Sequence, residues 1–422
     1  MIKKILLKNN VVLIMEQMEQ CGSVAVGFSF SSAGSRFEDE GFYGASHFCE
    51  HMLFKGTASR SRRDISLFFD RIGGTINAFT ERDSVCLYSV IPSSEKNLKE
   101  ALEVMCDMSV SSSFPEEETE LERSVIKNEV SLVEDDPEES GADALAEQIW
   151  MGSPLAKTIT GSVEQVESLD RRALLEWYAR RFSDGELTVC VAGKFDESIL
   201  IRALELLPER NPVVQLRQTS DAKWNPGLFF KKAAMKQVQV SLLYPLEMPL
   251  DEKSFYSLTV LNALVGDTMS SRLFESLREK CGLCYSVCSY FTCYDDAGFW
   301  GAFATCDQND VCEVLRLISL EMKKLVSEKI NVQELEAAKE HICGEEIMGS
   351  DDVEYVMKRL QRCSFMGLPL AGKDDVINSV RSVSMEDVES LAEKIIDDSM
   401  RSVFVYGRSL SAGQKKLCRS FL

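Results

Sequence analysis

The first half of the chain alternates between strand-like and helix-like patterns. Apolar residues alternate with small or polar ones over residues 24–30, whereas over residues 96–109 they recur every three or four positions. A run of apolar residues near the N-terminus, broken by Lys8-Asn9-Asn10, predicts a first strand with a turn. After it the pattern predicts strands at 11–15, 24–30, 75–80, 84–91 and 187–193, and helices at 43–54, 64–72, 96–109, 116–134 and 170–182.

The second half repeats this style after an irregular, polar stretch. We predict strands at 237–244, 283–291, 298–304 and 402–406, and helices at 255–264, 271–280, 310–328, 332–349 and 385–396. Strands and helices mix without strict β-α-β alternation, which favours α+β domains with largely antiparallel sheets. We therefore expect a first domain over residues 1–210, a linker over 211–226 and a second domain of similar fold over 227–422.

Composition narrows the class of protein. The chain has 422 residues, a length that favours two domains. Its residues are 45% hydrophobic and 27% charged, as in soluble globular proteins. No apolar run approaches the ~20 residues that cross a bilayer, so we expect no membrane-spanning segment. The net charge of −20 argues against nucleic acid and against an anionic membrane surface as partners, and leaves basic or neutral peptides as candidates.

The 14 cysteines have no regular spacing. In a chain without an export signal this favours reduced thiols and a cytoplasmic location. Cys281 and Cys284 form a C-x-x-C, but no matching distal pair follows, so we expect no second metal or redox site there.

Two of the three histidines lie in one short motif, His47-Phe48-Cys49-Glu50-His51. On a helix, residues four apart share a face, so both imidazoles can reach one metal ion. Glu50 lies near that face and can act as a general base. This is the H-x-x-E-H motif of zinc peptidases, the inverse of H-E-x-x-H.

A catalytic zinc typically has three protein ligands, and no suitable third histidine is present, since His341 lies far away on a charged helix. The third ligand should be a carboxylate, and the acidic segment 116–134 offers the most candidates. Glu122 and Glu129 lie seven residues apart on one helix face, and spacing alone does not choose between them.

The segment from Gly44 to Thr57, which contains the motif, resembles the signature of the pitrilysin/insulinase family, in particular the branch similar to the mitochondrial processing peptidase. In that family an E-x6-E pair follows the motif. The resemblance implies that Glu129 is a zinc ligand, with one zinc per chain, and that Glu122 supports a ligand. It further implies that segment 73–80 contains a substrate-binding edge strand, with Asn77 and Ala78 in contact with an extended peptide.

The second half also resembles the family. Segments 271–274 and 277–287 are similar to its C-terminal segment, whose Arg and Tyr act on the substrate carbonyl; here they are Arg278 and Tyr285. Chains of this length resemble half of the larger clamshell enzymes of the family. The resemblance therefore implies a half-clamshell that pairs as a homodimer, or as a heterodimer with a related chain.

These observations predict a zinc metalloendopeptidase that hydrolyses peptides or unfolded segments, with Glu50 as the general base. The alternative is a non-catalytic peptide-binding or assembly subunit of a heterodimeric processing peptidase. Such subunits usually lack part of the metal motif, which is complete here. A metalloenzyme acting on a non-peptide bond is a further alternative, which the peptide-accepting edge strand disfavours.

Overall fold

The computed structural model describes residues 2–213 and 222–421, which form two β-sheets with packed helices. The first sheet has the order β1-β2-β6-β3-β5-β4, with strands β1 Ile2–Leu6, β2 Val12–Gln17, β3 Ser23–Phe30, β4 Thr75–Thr80, β5 Val85–Pro92 and β6 Leu187–Gly193. The second has the order β7-β11-β8-β10-β9, with strands β7 Gly227–Lys232, β8 Val238–Leu246, β9 Cys284–Cys293, β10 Gly298–Cys306 and β11 Ser402–Gly407.

The two sheets share one topology. Without β1, each sheet places its strands in the order first, fifth, second, fourth, third along the chain. In each sheet the first and fifth strands pair in parallel and all other pairs are antiparallel. The predicted α+β fold with two similar, mostly antiparallel sheets is therefore confirmed.

Helices follow the strands in both halves. The first half has α1 Ala45–Leu53, α2 Arg62–Ile72, α3 Glu95–Ser111, α4 Glu116–Asp135, α5 Pro137–Ile149, α6 Val163–Ser168, α7 Arg171–Tyr178 and α8 Glu197–Leu204. The second half has α9 Glu252–Asn262, α10 Val311–Ser327, α11 Val332–Gly349, α12 Val353–Phe365, α13 Lys373–Ser382, α14 Met385–Ile395 and α15 Ala412–Ser420. Three predicted helices contain π-helical turns, at Ala179–Ser183, Ala263–Asp267 and Phe274–Lys280.

One helix of each half packs on the β-sheet of the other half. Helix α12 of the second half packs on β2, β3 and β6 of the first sheet, where Gly27 leaves room for Met357. Helix α5 of the first half packs on the second sheet, where Leu145 and Ile149 join an apolar cluster with Tyr406. Each half therefore depends on the other to cover part of its sheet.

Buried ion pairs also join the halves. Arg36 donates to both carboxylate oxygens of Asp296, at 2.8 and 2.7 Å, and both side chains are almost completely buried. Arg359 of α12 pairs with Glu16 of β2 at 2.7 Å and also with Glu346 of α11. A buried pair is costly to break, so these contacts hold the halves in one arrangement.

The predicted domain boundaries at 210 and 227 remain a prediction, and of the predicted linker, residues 214–221 lie outside the described part of the chain. Among the described residues, no helix is both long and apolar enough to cross a membrane.

Candidate metal and catalytic site

Helix α1 presents the H-x-x-E-H motif from a buried position. Its apolar residues, including Phe48 and Met52, are fully buried, while His51 and Glu50 on other faces remain partly accessible. Gly44 precedes the helix with φ of 85°, a left-handed conformation, and an added Cβ would lie 2.9 Å from the Thr160 carbonyl oxygen. The left-handed backbone conformation of Gly44 therefore fixes the point at which helix α1, which carries the motif, begins.

A buried carboxylate holds the start of this helix. Glu38 is 2% exposed, and its two oxygens accept hydrogen bonds from the backbone N–H groups of Gly44 at 2.9 Å and Ser46 at 2.8 Å. Burial raises the pKa of Glu38 to about 7, against the lowering effect of these hydrogen bonds and of nearby Lys157. These two hydrogen bonds satisfy N–H groups at the start of helix α1 that have no partner within the helix. The second of them lies one residue before His47. Sequence reasoning missed Glu38, since it lies outside the motif and no spacing rule points to it.

Three potential metal ligands converge beside α1. His47 Nε2 and His51 Nε2 lie 3.2 Å apart, and the Glu129 carboxylate on α4 lies 3.5 Å from the first and 3.4 Å from the second. In the described part of the chain this is the only group of three such residues close enough to share one ion.

The spacing of these atoms fits a zinc ion. Tetrahedral ligands about 2.05 Å from zinc are separated from each other by about 3.3 Å, close to the three separations here. Two unprotonated ring nitrogens facing each other also repel, and a cation between them removes that repulsion. Glu129 is 39% exposed, so the cluster is open to solvent on one side, as a catalytic metal site requires.

Glu122 contacts the opposite nitrogen of one histidine. Its carboxylate lies 2.8 Å from His51 Nδ1 and also pairs with Lys55. A carboxylate on the distal ring nitrogen fixes the tautomer and orientation of a metal-binding histidine. The geometry therefore distinguishes the two glutamates that spacing left open: Glu129 faces both Nε2 atoms, and Glu122 faces Nδ1.

The same contacts change the pKa values of His51 and Glu129. Burial alone would lower the pKa of His51, but hydrogen bonds to Glu122 and Glu129 and the charge of Glu50 raise it to about 9. Hydrogen bonds from His47 and His51 hold the pKa of Glu129 far below its usual range. Without a metal the cluster is thus stabilised by a proton on His51.

Glu50 is held by the edge strand of the first sheet. Its Oε2 accepts a hydrogen bond of 2.7 Å from Thr80 Oγ1, at the end of β4. Strand β4 lies at the edge of the sheet. Asn77 in this strand is exposed, and its side chain accepts a hydrogen bond from the Ala78 N–H at 2.9 Å. Thr80 was not singled out from sequence, although alternation places it on the same strand face as Ala78.

Arg278 and Tyr285 lie beside each other in the second half of the chain. The Arg278 guanidinium lies 5.7 Å from the Tyr285 ring centroid and 4.7 Å from that of Phe274. Tyr285 is 79% exposed. Among the described contacts, neither side chain has a hydrogen bond, ion pair or ring contact with His47 or His51.

The third histidine and the C-x-x-C pair lie outside this cluster. His341 lies 3.3 Å from Glu345 one helical turn away, as surface residues often do. Cys281 is exposed and Cys284 is buried, and neither belongs to a potential metal cluster within the described residues.

The chain matches two models of one family. The model described as "Insulinase (Peptidase family M16)" matches residues 11–163, and "Peptidase M16 inactive domain" matches residues 168–342. The metal cluster lies within the first match and Arg278 and Tyr285 within the second.

Similar proteins cover nearly the whole chain. An uncharacterized zinc protease of Streptomyces coelicolor is 30% identical over 406 residues, covering 94% of this chain and 87% of that protein. The uncharacterized zinc protease YmxG of Bacillus subtilis is 29% identical over 398 residues, covering 94% and 96%.

Two solved structures share the fold. One is described as a peptidase M16 inactive domain from Pseudomonas fluorescens (TM-score 0.88, 16% identity, 97% of this chain and 99% of that chain). The other is a protease from Helicobacter pylori (TM-score 0.85, 19% identity, 96% and 99%). At these identities the likeness concerns the fold. The family models and the Streptomyces coelicolor relative together show that the chain belongs to the insulinase family, peptidase family M16, and is a zinc-dependent metallopeptidase.

Proposed function

We propose that the protein is an endopeptidase that hydrolyses peptides or unfolded polypeptide segments at one zinc site per chain. The observation that carries this proposal is the convergence of His47, His51 and Glu129 at tetrahedral spacing, with Glu50 on the same helix and bonded to an edge strand. These parts suffice for metal-assisted hydrolysis of an extended peptide.

His47, His51 and Glu129 hold the zinc, and Glu122 orients His51 through Nδ1. When bound, the zinc supplies a Lewis acid that makes a water molecule acidic near neutral pH and polarises the peptide carbonyl. In the metal-free site the charged His51 ring contacts Glu122 through Nδ1 and Glu129 through Nε2, and a bound zinc ion would take the place of the Nε2 proton only.

Glu50 is the general base. It follows His47 by three positions, which places the two side chains near one face of α1, and its charge is close enough to act on the pKa of His51. It takes the proton of the attacking water and later gives it to the leaving amine, because a carboxylate near the reacting atoms can serve in both directions. Glu50→Gln should therefore retain zinc and lose nearly all hydrolysis, and a Gln variant with near-normal turnover would remove Glu50 from this role.

Strand β4 receives the substrate. Its outer edge has no neighbouring strand among the described residues, so an extended peptide can pair with it and extend the sheet. In this proposal Asn77 and Ala78 contact the peptide, and the Ala78 N–H exchanges its bond with the Asn77 side chain for one with the substrate. Pairing of this kind requires an extended segment, which a peptide or an unfolded polypeptide provides.

Arg278 and Tyr285 stabilise the negative charge that develops on the substrate carbonyl oxygen. Their exposure and the lack of contacts with the metal cluster support a dimer in which they reach the site of the partner chain. A homodimer provides this by symmetry, and a heterodimer with a related chain is the second form of the assembly.

Mixed dimers test whether these residues act across the interface. If they do, a dimer of one Glu50→Gln chain and one Arg278→Ala chain contains one intact site and regains up to half of wild-type activity. If both groups act within one chain, every site in that dimer is defective and activity stays at the level of the single variants. Light scattering of the active protein provides the mass, and a fully active single chain would contradict the dimer.

The non-catalytic alternative predicts stoichiometric zinc and peptide binding without turnover. The convergence of His47, His51 and Glu129 and the contact of Glu50 with β4 support hydrolysis over this alternative. The free state of the fourteen cysteines is in keeping with the proposed cytoplasmic location.

A further inference from the structure

A single hydrogen bond connects the motif helix to the edge strand. Thr80 Oγ1 donates to Glu50 Oε2 at 2.7 Å. Thr80 is the last residue of β4, and Glu50 lies between Cys49 and His51 on α1. The side chain proposed as the base and the strand proposed to receive the peptide are therefore in direct contact.

The position of Thr80 is firmly fixed. It pairs with fully buried Val85 of β5, and the turn that follows is closed by a hydrogen bond of 2.8 Å from the Glu81 N–H to the Ser84 carbonyl. The Arg36 N–H donates to the Arg82 carbonyl at 2.7 Å, which attaches this turn to a neighbouring segment. Threonine is also stiff at χ1, so the hydroxyl has few alternative positions.

Glu50 has fewer constraints of its own. Three bonds rotate between its backbone and its carboxylate, and Thr80 is the one protein donor to that carboxylate among the described hydrogen bonds. A general base must lie within hydrogen-bond reach of the proton that it removes, and small displacements lower the rate. The hydroxyl of Thr80 fixes one carboxylate oxygen and leaves the other free for water.

We propose that Thr80 is a positioning residue that orients the Glu50 carboxylate relative to the peptide held on β4. The inference rests on the proposed function, since it assumes Glu50 as base and β4 as the substrate strand. Because one strand positions both the base and the peptide, a shift of β4 moves them together and their relative geometry is retained.

The test compares two variants of Thr80. Thr80→Val keeps the shape of the side chain but removes the donor, and Thr80→Ser keeps the donor. We expect kcat to fall on the order of tenfold in Thr80→Val, since a hydrogen bond to a charged acceptor is lost. KM should change less than about twofold and zinc content should stay at the wild-type level, while Thr80→Ser should recover most of kcat. The control is Thr305→Val, the same change at a half-buried strand position of the second sheet.

Three results would overturn the inference: wild-type kcat in Thr80→Val, an equal loss of kcat in Thr80→Ser, or loss of zinc from Thr80→Val. Wild-type protein and Glu50→Gln are measured in the same assay. If the wild type has no zinc-dependent hydrolysis, the proposed function fails.

A second measurement, of thermal unfolding, tests the role of Thr80 without relying on catalytic turnover. We expect Thr80→Val to lower the thermal midpoint when Glu50 is present and to have little effect in a Glu50→Ala background. Equal shifts in both backgrounds would show that the hydroxyl does not act on Glu50 and would overturn the inference.

Discussion

Zinc binding should be coupled to the release of a proton from His51. Hydrogen bonds to Glu122 and Glu129 raise the pKa of His51 to about 9 in the metal-free site, so its ring is almost fully protonated at pH 7. Zinc requires the neutral ring, hence binding must displace this proton. With a pKa of about 9, the neutral fraction rises about ninefold between pH 7 and pH 8, and apparent zinc affinity should rise by the same factor.

The assay is a competition titration with a chelator of known pH dependence, together with calorimetry in buffers of different ionisation enthalpy. Calorimetry at pH 7.5 should report about one proton released from His51 per zinc. The release should diminish as the pH rises through 9, where the ring is already neutral. A zinc affinity that does not change between pH 7 and pH 8, with no release of protons, would refute the reasoning.

Three further changes test other parts of the site and the fold. Glu122→Gln should weaken zinc binding about 10- to 100-fold, measured by the same titration, whereas Glu117→Gln on the exposed face of α4 should not. Gly44→Ala should destabilise the protein by about 1–3 kcal/mol in thermal unfolding, because alanine must adopt a positive φ against a neighbouring carbonyl; an unchanged midpoint would contradict this. Arg36→Ala should cost about 3–5 kcal/mol in denaturant unfolding, because it removes the cation that donates to both oxygens of buried Asp296; a loss below about 1 kcal/mol would show that the pair is unimportant.

The sequence predicted most of the strands and the central helices because their periodicity is strong, but it missed the largely exposed strand β7. The helical repeat over α3 follows directly from burial of one face, whereas β3 is buried on both faces and alternates large apolar residues with small ones. Helix α5 was not predicted, since small residues such as Ala144 supply much of its buried face and give a weak pattern. Helix α12 was also missed, and its packing on the sheet of the other half could not be inferred, because periodicity reports which face is buried and not what covers it.

Sequence patterns predicted the site residues that lie within one helix but not the contacts that join different parts of the chain. The spacing of His47 and His51 suffices to bring two ligands together within one helix. Choosing Glu129 over Glu122 required either the family resemblance or the geometry between α1 and α4. The contacts of Glu38 with the start of α1 and of Thr80 with Glu50 follow no spacing rule and therefore have no sequence signal. They are nevertheless the contacts that position the motif.

The most direct test of the account is hydrolysis of a mixed library of quenched-fluorescent peptides of about 10–20 residues, before zinc removal, after it and after zinc is restored. We expect cleavage that a chelator abolishes and zinc restores. Cleavage that persists in protein shown to be free of metal would contradict it, as would a complete lack of cleavage by protein with stoichiometric zinc and its dimeric partner present.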